Sequence, residues 1–557
     1  NALRAFLEVV ILCGAILICL SAPGGSRFAV PGLLAAMGGA TLIGWLAYEP
    51  GVVDAGEIKS PAPVLGSKEA RSSDGEPPAK KPKTEPAKDT AAVASAAAKK
   101  NLATYTIEEV RKHSEREDSW IVIEDLVYDV TAFAREHPGG PLPLWGVAGR
   151  DATDHFLAFH PSGTQKRLPP LLVGKLVDYT PSETVQDFRA LRQHLIDLGL
   201  FEIRRSFWVR KFVLFLCLLL GAALSAVRSG SSSSPTAWTM VGAVMLGFFF
   251  QQCAGIGHDC GHNSVIHMRR LDRILGLVVG NLLTGISMGW WKKSHNTHHV
   301  VPNSIEYDPD IQHLPAFAVS DRYFSSIFSK FHDWTMSFGS VEKFIVGNQH
   351  YLYLPIMALA RFNLYAQSII YMVGINSHTH PVQWRVAEVA SFLAFLGWMT
   401  GLCLCLPSGW HILLFLLVSH SIAGLLHVQI TISHFSMSTY DGRAYRNDEE
   451  SWLHTQLATT MDVICPECLD WFHIGLQFQI EHHLFPRIPR HNLRQVQKLM
   501  VPFCKKHGIH HHNVPWLQSI RETLHCLRTV ALKARVSDPL AIRFKDTMLY
   551  AGLQAEG

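Results

Sequence analysis

The chain has 557 residues, of which 48% are hydrophobic and only 17% charged, an apolar balance for a soluble protein and enough length for more than one domain. Its formal net charge of +4 excludes the strongly basic footprint of a nucleic-acid binder. The 11 cysteines are scattered, several of them inside apolar runs (Cys13, Cys19, Cys217, Cys403, Cys405), where a thiol behaves as a small hydrophobe, so no disulfide framework is implied.

Two apolar stretches, Ala5 to Ala22 and Phe28 to Ala47, are each about long enough to cross a bilayer. They predict a membrane hairpin over residues 1–50, with a targeting extension as the alternative. Residues 51–101 are rich in Ala, Pro, Lys, Ser and Glu, a composition that cannot bury a core, and predict a disordered linker. The run Lys80-Lys81-Pro82-Lys83 keeps that linker solvated.

A compact module is expected over 102–180. Apolar and polar residues alternate through Trp120–Val130 in a strand-like pattern. Then come His137-Pro138-Gly139-Gly140 and the segment Asp151 to His160, with His155, Phe156 and Phe159 inside it. These motifs resemble the cytochrome b5 family, whose fold is a small α+β domain holding haem b. The resemblance implies His137 and His160 as the two axial ligands, with His155 the rival for the second position. Two neutral imidazoles on opposite walls of an apolar slot leave no position for oxygen, so such a haem carries electrons. Phe156, Phe159 and Leu172 are candidate walls.

Beyond it, residues 181–557 read as an all-helical membrane domain. Arg204, Arg205, Arg210 and Lys211 precede the apolar run Phe212–Val227, and a second run, Trp238–Ile256, returns the chain to the starting face; basic flanks mark that face as cytosolic. Ile274–Trp290 is expected to lie along the membrane or dip into it. Three further stretches follow, Tyr351–Val373, Val386–Leu406 and Ile412–Ile432. An even number of crossings keeps all histidine clusters on one side, so the first is taken as peripheral, because Arg361 and Asn363 interrupt it and its tyrosines suit an interface. About four core spanning helices with a cytosolic cap result.

The clusters are His258-Asp-Cys-Gly-His262, His295-Asn-Thr-His298-His299 and Gln479-Ile-Glu-His482-His483. Residues three or four apart on a helix share a face, so each cluster aims imidazoles at one point, as a metal site requires. The pair Cys465 and Cys468 has zinc-like spacing without a second pair, and His510–His512 reads as a solvent-exposed loop.

The order of haem module, HxxxH, HxxHH and QxxHH, with Trp290-Trp291-Lys292, Tyr307-Asp-Pro-Asp310 and Gln312-His-Leu-Pro315 around the second cluster, resembles the membrane front-end desaturases fused to cytochrome b5. Asp470-Trp-Phe-His473 and the block Gly475 to Arg490 are most similar to the delta-8 sphingolipid long-chain-base desaturases of plants and algae; delta-6 acyl desaturases share much of it. The resemblance implies a di-iron centre held by His258, His262, His295, His298, His299, His482 and His483, with His434 or His427 as an eighth ligand. It also implies Gln479 as a weak ligand or water holder, and dioxygen as oxidant. An unactivated methylene has no useful acidity, so a redox metal and not a general base must remove its hydrogens.

NADH electrons would arrive through a separate NADH–cytochrome b5 reductase, since the chain has no Rossmann glycine fingerprint. The expected setting is the endoplasmic reticulum membrane, with haem module and clusters cytosolic, a sphingoid-base or acyl lipid as substrate, and no nucleic-acid partner. Trp290, Trp291 and Tyr307 are candidates for the substrate entrance. The family usually carries glycine where Ile474 stands, which puts a branched side chain near the third cluster. Two other readings use the same histidines: a di-iron lipid hydroxylase, and a non-catalytic membrane protein carrying haem and structural zinc.

Overall fold

Alternation around Trp120 resolves into a hairpin, because Glu124 takes a left-handed conformation (φ 61°) and reverses the chain between two short strands. In the computed structural model, residues 102–374, 382–443 and 451–537 are described; the expected hairpin over 1–50 and linker over 51–101 lie outside them. The first module comprises β1 (Ala103–Tyr105), α1 (Ile107–Arg111), β2 (Ser114–Glu115), β3 (Asp118–Ile123), β4 (Leu126–Asp129), α2 (Leu142–Val147), β5 (Arg150–Asp151), α3 (Thr153–Phe159) and β6 (Leu172–Leu176). Thr106 and Glu109 cap α1 reciprocally. The sheet runs β1-β6-β4-β3-β2, with β5 paired to β3, and Val110, Val122 and Val127 fill one face.

A connecting helix α4 (Glu183–Asp197) leads to α5 (Arg205–Ser231) and α6 (Pro235–Gly261). Pro235 opens α6 where a missing N–H costs nothing. After α7 (Arg269–Gly276) a π-helical turn, Leu277–Leu282, dips into the bundle with residues 277–281 all buried. The chain then forms α8 (Met288–Val300), α9 (Gln349–Val373), α10 (Val382–Leu404) and α11 (Gly409–Thr431).

Five of these helices, α5, α6, α9, α10 and α11, are long and apolar enough to cross a membrane. Small residues let them approach closely, as membrane helices need: a Cβ on Gly247 would strike Ile422 of α11, and one on Gly424 would strike the α9 backbone. α9 runs from the end of α11 to the start of α8. Tyr353 near its start hydrogen bonds Thr431 at the end of α11 at 2.7 Å, while Tyr371 near its finish packs at Gly289 of α8. The arginine of α9 is no interfacial residue: Arg361 is 2% exposed, lies over the Phe250 ring at 4.1 Å and donates to the Thr284 carbonyl at 2.6 Å, because only a partner inside the bundle satisfies a cation there.

The cap is built from α12 (Trp452–Thr459), β7 (Asp462–Ile464), α13 (Gln479–Leu484), α14 (Leu493–Lys506), β8 (Asn513–Pro515) and α15 (Trp516–Val536). β7 and β8 pair in parallel, and Asp462 on β7 accepts from the Ile480 N–H at 2.9 Å, fixing the start of α13.

Candidate metal and haem sites

His137 and His160 face each other with ring centroids 6.0 Å apart. Two imidazoles sharing one metal through bonds of roughly 2 Å would stand at about this separation. Gly140, at φ +85°, bends the chain so that its carbonyl accepts from His137 Nδ1–H at 2.9 Å; the Phe156 carbonyl accepts from His160 Nδ1–H at 3.1 Å. Each Nε2 is thereby left unprotonated, the form that binds a metal. Burial lowers both pKa values, that of His160 to about 4 with help from neighbouring His137. His155 packs against Trp452 instead, with ring centroids 5.0 Å apart. The slot therefore fits a bis-histidine haem.

The histidine clusters converge at one end of the bundle. His258 and His262 come from the end of α6, His295 from α8 and His482 from α13, and one nitrogen from each lies within 4.8 Å of the others. A second group, His298, His434 and His483, meets the same criterion. His299 joins the two: its Nε2 is 3.0 Å from Nε2 of both His295 and His482, and its ring stacks on His483 at 4.1 Å. Contacts of that length between ring nitrogens match two ligands at right angles on bonds of roughly 2.1 Å.

Hydrogen bonds from Nδ1–H set the tautomers. His258 donates to Asp259 at 3.1 Å, His298 to both oxygens of Asp308 at 2.9 and 3.0 Å, His434 to the Thr459 carbonyl at 3.2 Å, and His483 to Gln456 Oε1 at 2.8 Å. Nε2 of His258, His262 and His483, and Nδ1 of His299, are buried with no protein partner. Orphaned nitrogens pointing into one region fit a pair of metal ions. Burial, reinforced by neighbouring imidazoles, holds His262, His295, His299, His434, His482 and His483 well below the usual range and hence neutral. Burial works against charge on His298 too, but Asp308 and Asp310 outweigh it and carry its pKa up to about 9 when no metal competes for the ring.

A fatty acid desaturase family model matches residues 235–515, which contain every one of these histidines. The chain belongs to the fatty acid desaturase family. A cytochrome b5-like heme/steroid binding domain model matches residues 106–177, around the His137–His160 slot. Acyl-lipid (9-3)-desaturase of Borago officinalis is 37% identical over 437 residues, covering 78% of this chain and 95% of that protein. Delta(8)-fatty-acid desaturase of Helianthus annuus is 39% identical over 432 residues, with 77% and 92% covered. Delta 8-(E)-sphingolipid desaturase of Emericella nidulans is 43% identical over 303 residues, covering 54% of this chain and 55% of its own. The protein is thus an oxidoreductase, a multi-pass lipid desaturase with a fused b5 domain.

Within this desaturase the structure brings His434, and not His427, into the second group: His427 lies two turns back along α11. Gln479 stands beside His434, with amide nitrogen and ring nitrogen 3.2 Å apart. Sequence reasoning missed the residues that orient these histidines. Asp259 holds His258 and is itself held by Arg490 Nε at 2.6 Å; Asp308, Gln456 and the Thr459 carbonyl do the same for the second group. The Tyr307-Asp-Pro-Asp310 motif was the available signal for Asp308.

One expectation is corrected. His511 is no solvent-exposed loop residue: its side chain is 5% exposed and its Nε2 lies 3.0 Å from Glu481 of α13 and 3.6 Å from Asp462, because two carboxylates with no exposure demand a partner. Of the three entrance candidates, Trp291 stacks on His295 at 4.3 Å, Tyr307 packs against the b5-domain core and Trp290 against the helical bundle. Ile474, in place of glycine, is buried at φ 51° and packs on Leu426 and Leu476, a left-handed conformation unfavourable for a β-branched residue.

Proposed function

We propose that this desaturase is a front-end enzyme that places a delta-8 double bond in sphingolipid long-chain bases, fed with electrons by its own b5 domain. The observation that carries the reading is the convergence of two buried histidine groups, joined by His299, beside a bis-histidine haem slot. In this reading His258, His262, His295 and His482 hold one iron, His298, His434 and His483 the other, and His299 lies between them, with Gln479 a weak ligand or the seat of a water. His137 and His160 hold haem b. When bound, the iron pair supplies the oxidising power that an unactivated C–H bond demands; the balance is loss of two hydrogens from adjacent carbons, with dioxygen, two electrons and two protons giving two waters.

The chain's own residues prepare that chemistry. Asp259, Asp308, Gln456 and the Thr459 carbonyl keep a proton on the outer nitrogen of their histidines and so aim the inner lone pairs at the metals. Trp291, stacked on His295 and set edge to face against His258 and His262, covers one side of the first group. The basic residues at the start of α5 support a cytosolic cluster-bearing end, where a separate NADH–cytochrome b5 reductase charges the haem, and the endoplasmic reticulum is the membrane in which that reductase and the lipid substrate meet.

The delta-8 position and the sphingoid substrate rest on the names of the Helianthus and Emericella relatives. The Borago relative, named for acyl lipids, favours a second reading in which an acyl chain is desaturated. Expression in yeast supplied with both phytosphingosine-type bases and polyunsaturated acyl precursors, followed by mass spectrometry of both lipid pools, separates them. New delta-8 unsaturation confined to long-chain bases is expected. Unsaturation confined to acyl chains overturns the substrate assignment, and an added oxygen in place of a double bond overturns desaturation.

A further inference from the structure

The b5 domain does not touch the membrane domain at random. α2 lies along α8, the helix that carries the second cluster: a Cβ on Gly146 would meet Val300 and Val301 at 3.2 and 3.4 Å. Those two valines belong to the b5-domain core together with Ile121, Tyr128 and Val147. The turn that carries His137 faces the same helix, since a Cβ on Gly139 would lie 3.8 Å from Asn296 Nδ2. Further tethers hold the arrangement. Arg443 donates to the Ala148 carbonyl at 3.3 Å, and Arg116 reaches the Lys330 carbonyl at 3.2 Å.

At the centre of this contact is Phe159. It immediately precedes His160 in the chain, and its ring meets that of His299 edge to face, with centroids 5.9 Å apart. It packs against two cores at once, that of the b5 domain and that of the cap built on α13 and α14. His299 in turn touches members of both histidine groups. We infer that Phe159 is the bridge through which an electron passes from the haem held by His160 to the metal pair, entering at His299. The path runs from the His160 ring through one peptide unit to the Phe159 ring and across a single van der Waals contact to the His299 imidazole, with no gap wide enough for water. Each passage oxidises one ferrous haem to ferric and reduces one ferric ion of the pair to ferrous; two passages, with the reductase recharging the haem between them, deliver the two electrons of a turnover. The inference rests on the electron supply proposed above and assigns its route.

The test uses the full chain loaded with haem and iron, under anaerobic conditions with the iron pair ferric. The haem is reduced by a light flash and its reoxidation followed in its absorption band, in the parent, Phe159→Leu and Phe159→Trp. Leucine keeps the apolar contact and removes the ring; tryptophan keeps a ring. Haem spectrum, haem potential and iron content serve as the measures of intact sites. The expected result is reoxidation about tenfold slower or more in F159L, with F159W close to the parent and all three site measures unchanged. Parent-like reoxidation in F159L overturns the bridge. Equal slowing in F159L and F159W with unchanged sites also overturns it, since packing and not the ring would then set the rate. Failure of the parent haem to reoxidise at a rate independent of protein concentration overturns the intramolecular electron supply itself, a different result from either.

Discussion

Replacing Asp308 by asparagine probes whether the carboxylates behind the histidines tune the metal pair. Asp308 is fully buried and each of its oxygens has two donors: Oδ1 accepts from His298 Nδ1–H at 3.0 Å and the Asp310 N–H at 2.8 Å, Oδ2 from His298 at 2.9 Å and the Asn303 N–H at 2.6 Å. The amide keeps the shape but presents NH2 on one side. Whichever way it turns, one buried backbone N–H loses its acceptor, which costs about 1–3 kcal/mol of stability. Loss of the negative charge also weakens His298 as a donor, and such substitutions behind a ligand typically reduce metal affinity by about 10- to 100-fold, or ~1.4–2.7 kcal/mol. Iron retained per chain after equilibration with graded chelator, with haem absorbance as internal reference, reads the second effect, and thermal unfolding in detergent reads the first. A D308N protein that holds iron as tightly as the parent refutes the argument that this carboxylate tunes the second group.

His434→Ala should lower bound iron from about two ions per chain toward about one, whereas His427→Ala should leave it unchanged; iron analysis against haem distinguishes them, and loss of iron in H427A alone would reverse the assignment. For the haem, His160→Ala should abolish the low-spin absorption spectrum while His155→Ala keeps it, and a normal spectrum in H160A would disprove the ligand pair. Asp272, on α7, is pushed up to about 7 by burial in spite of backbone N–H donors from Ile266, His267 and Met268. The folded state thus binds its proton more tightly than the unfolded chain, where the value is about 3.9. The stability it lends is complete below pH ~4 and is lost as pH rises to about 7, with a slope approaching ~1.4 kcal/mol per unit. Asp272→Asn should flatten the unfolding midpoint between pH 5 and 7 relative to the parent, and parallel curves would contradict this.

Much of the site was legible because helical spacing is a local property. His258 and His262, or His295 and His299, share a face whatever the rest of the chain does, and His137 before two glycines marks its own turn. What the spacing could not decide was depth. His427 lies inside α11 and His434 in the turn just past its end, seven residues on, and only the packing of the latter against His298 and His483 selects it. His155 and His160 are similarly separated by Trp452, some three hundred positions away, which takes up the first. His511 looked solvated because its own neighbours are polar; its partners Glu481 and Asp462 arrive from elsewhere in the chain. Arg361 was read as an interfacial residue, but it is a cation satisfied inside the bundle and not one held at its surface.

Val300 and Val301 follow directly on the second histidine cluster and complete the hydrophobic core of the b5 domain. The two modules are therefore not beads on a string whose join can be cut and rearranged. Deleting the b5 domain would leave apolar surface bare on the very helix that presents His295, His298 and His299, so a truncated chain would lose order at its metal site as well as its electron source. Free cytochrome b5 added in solution would have to rebuild that buried seam before it could serve as donor, and grafting a foreign b5 domain onto this chain means matching the seam first and the haem second.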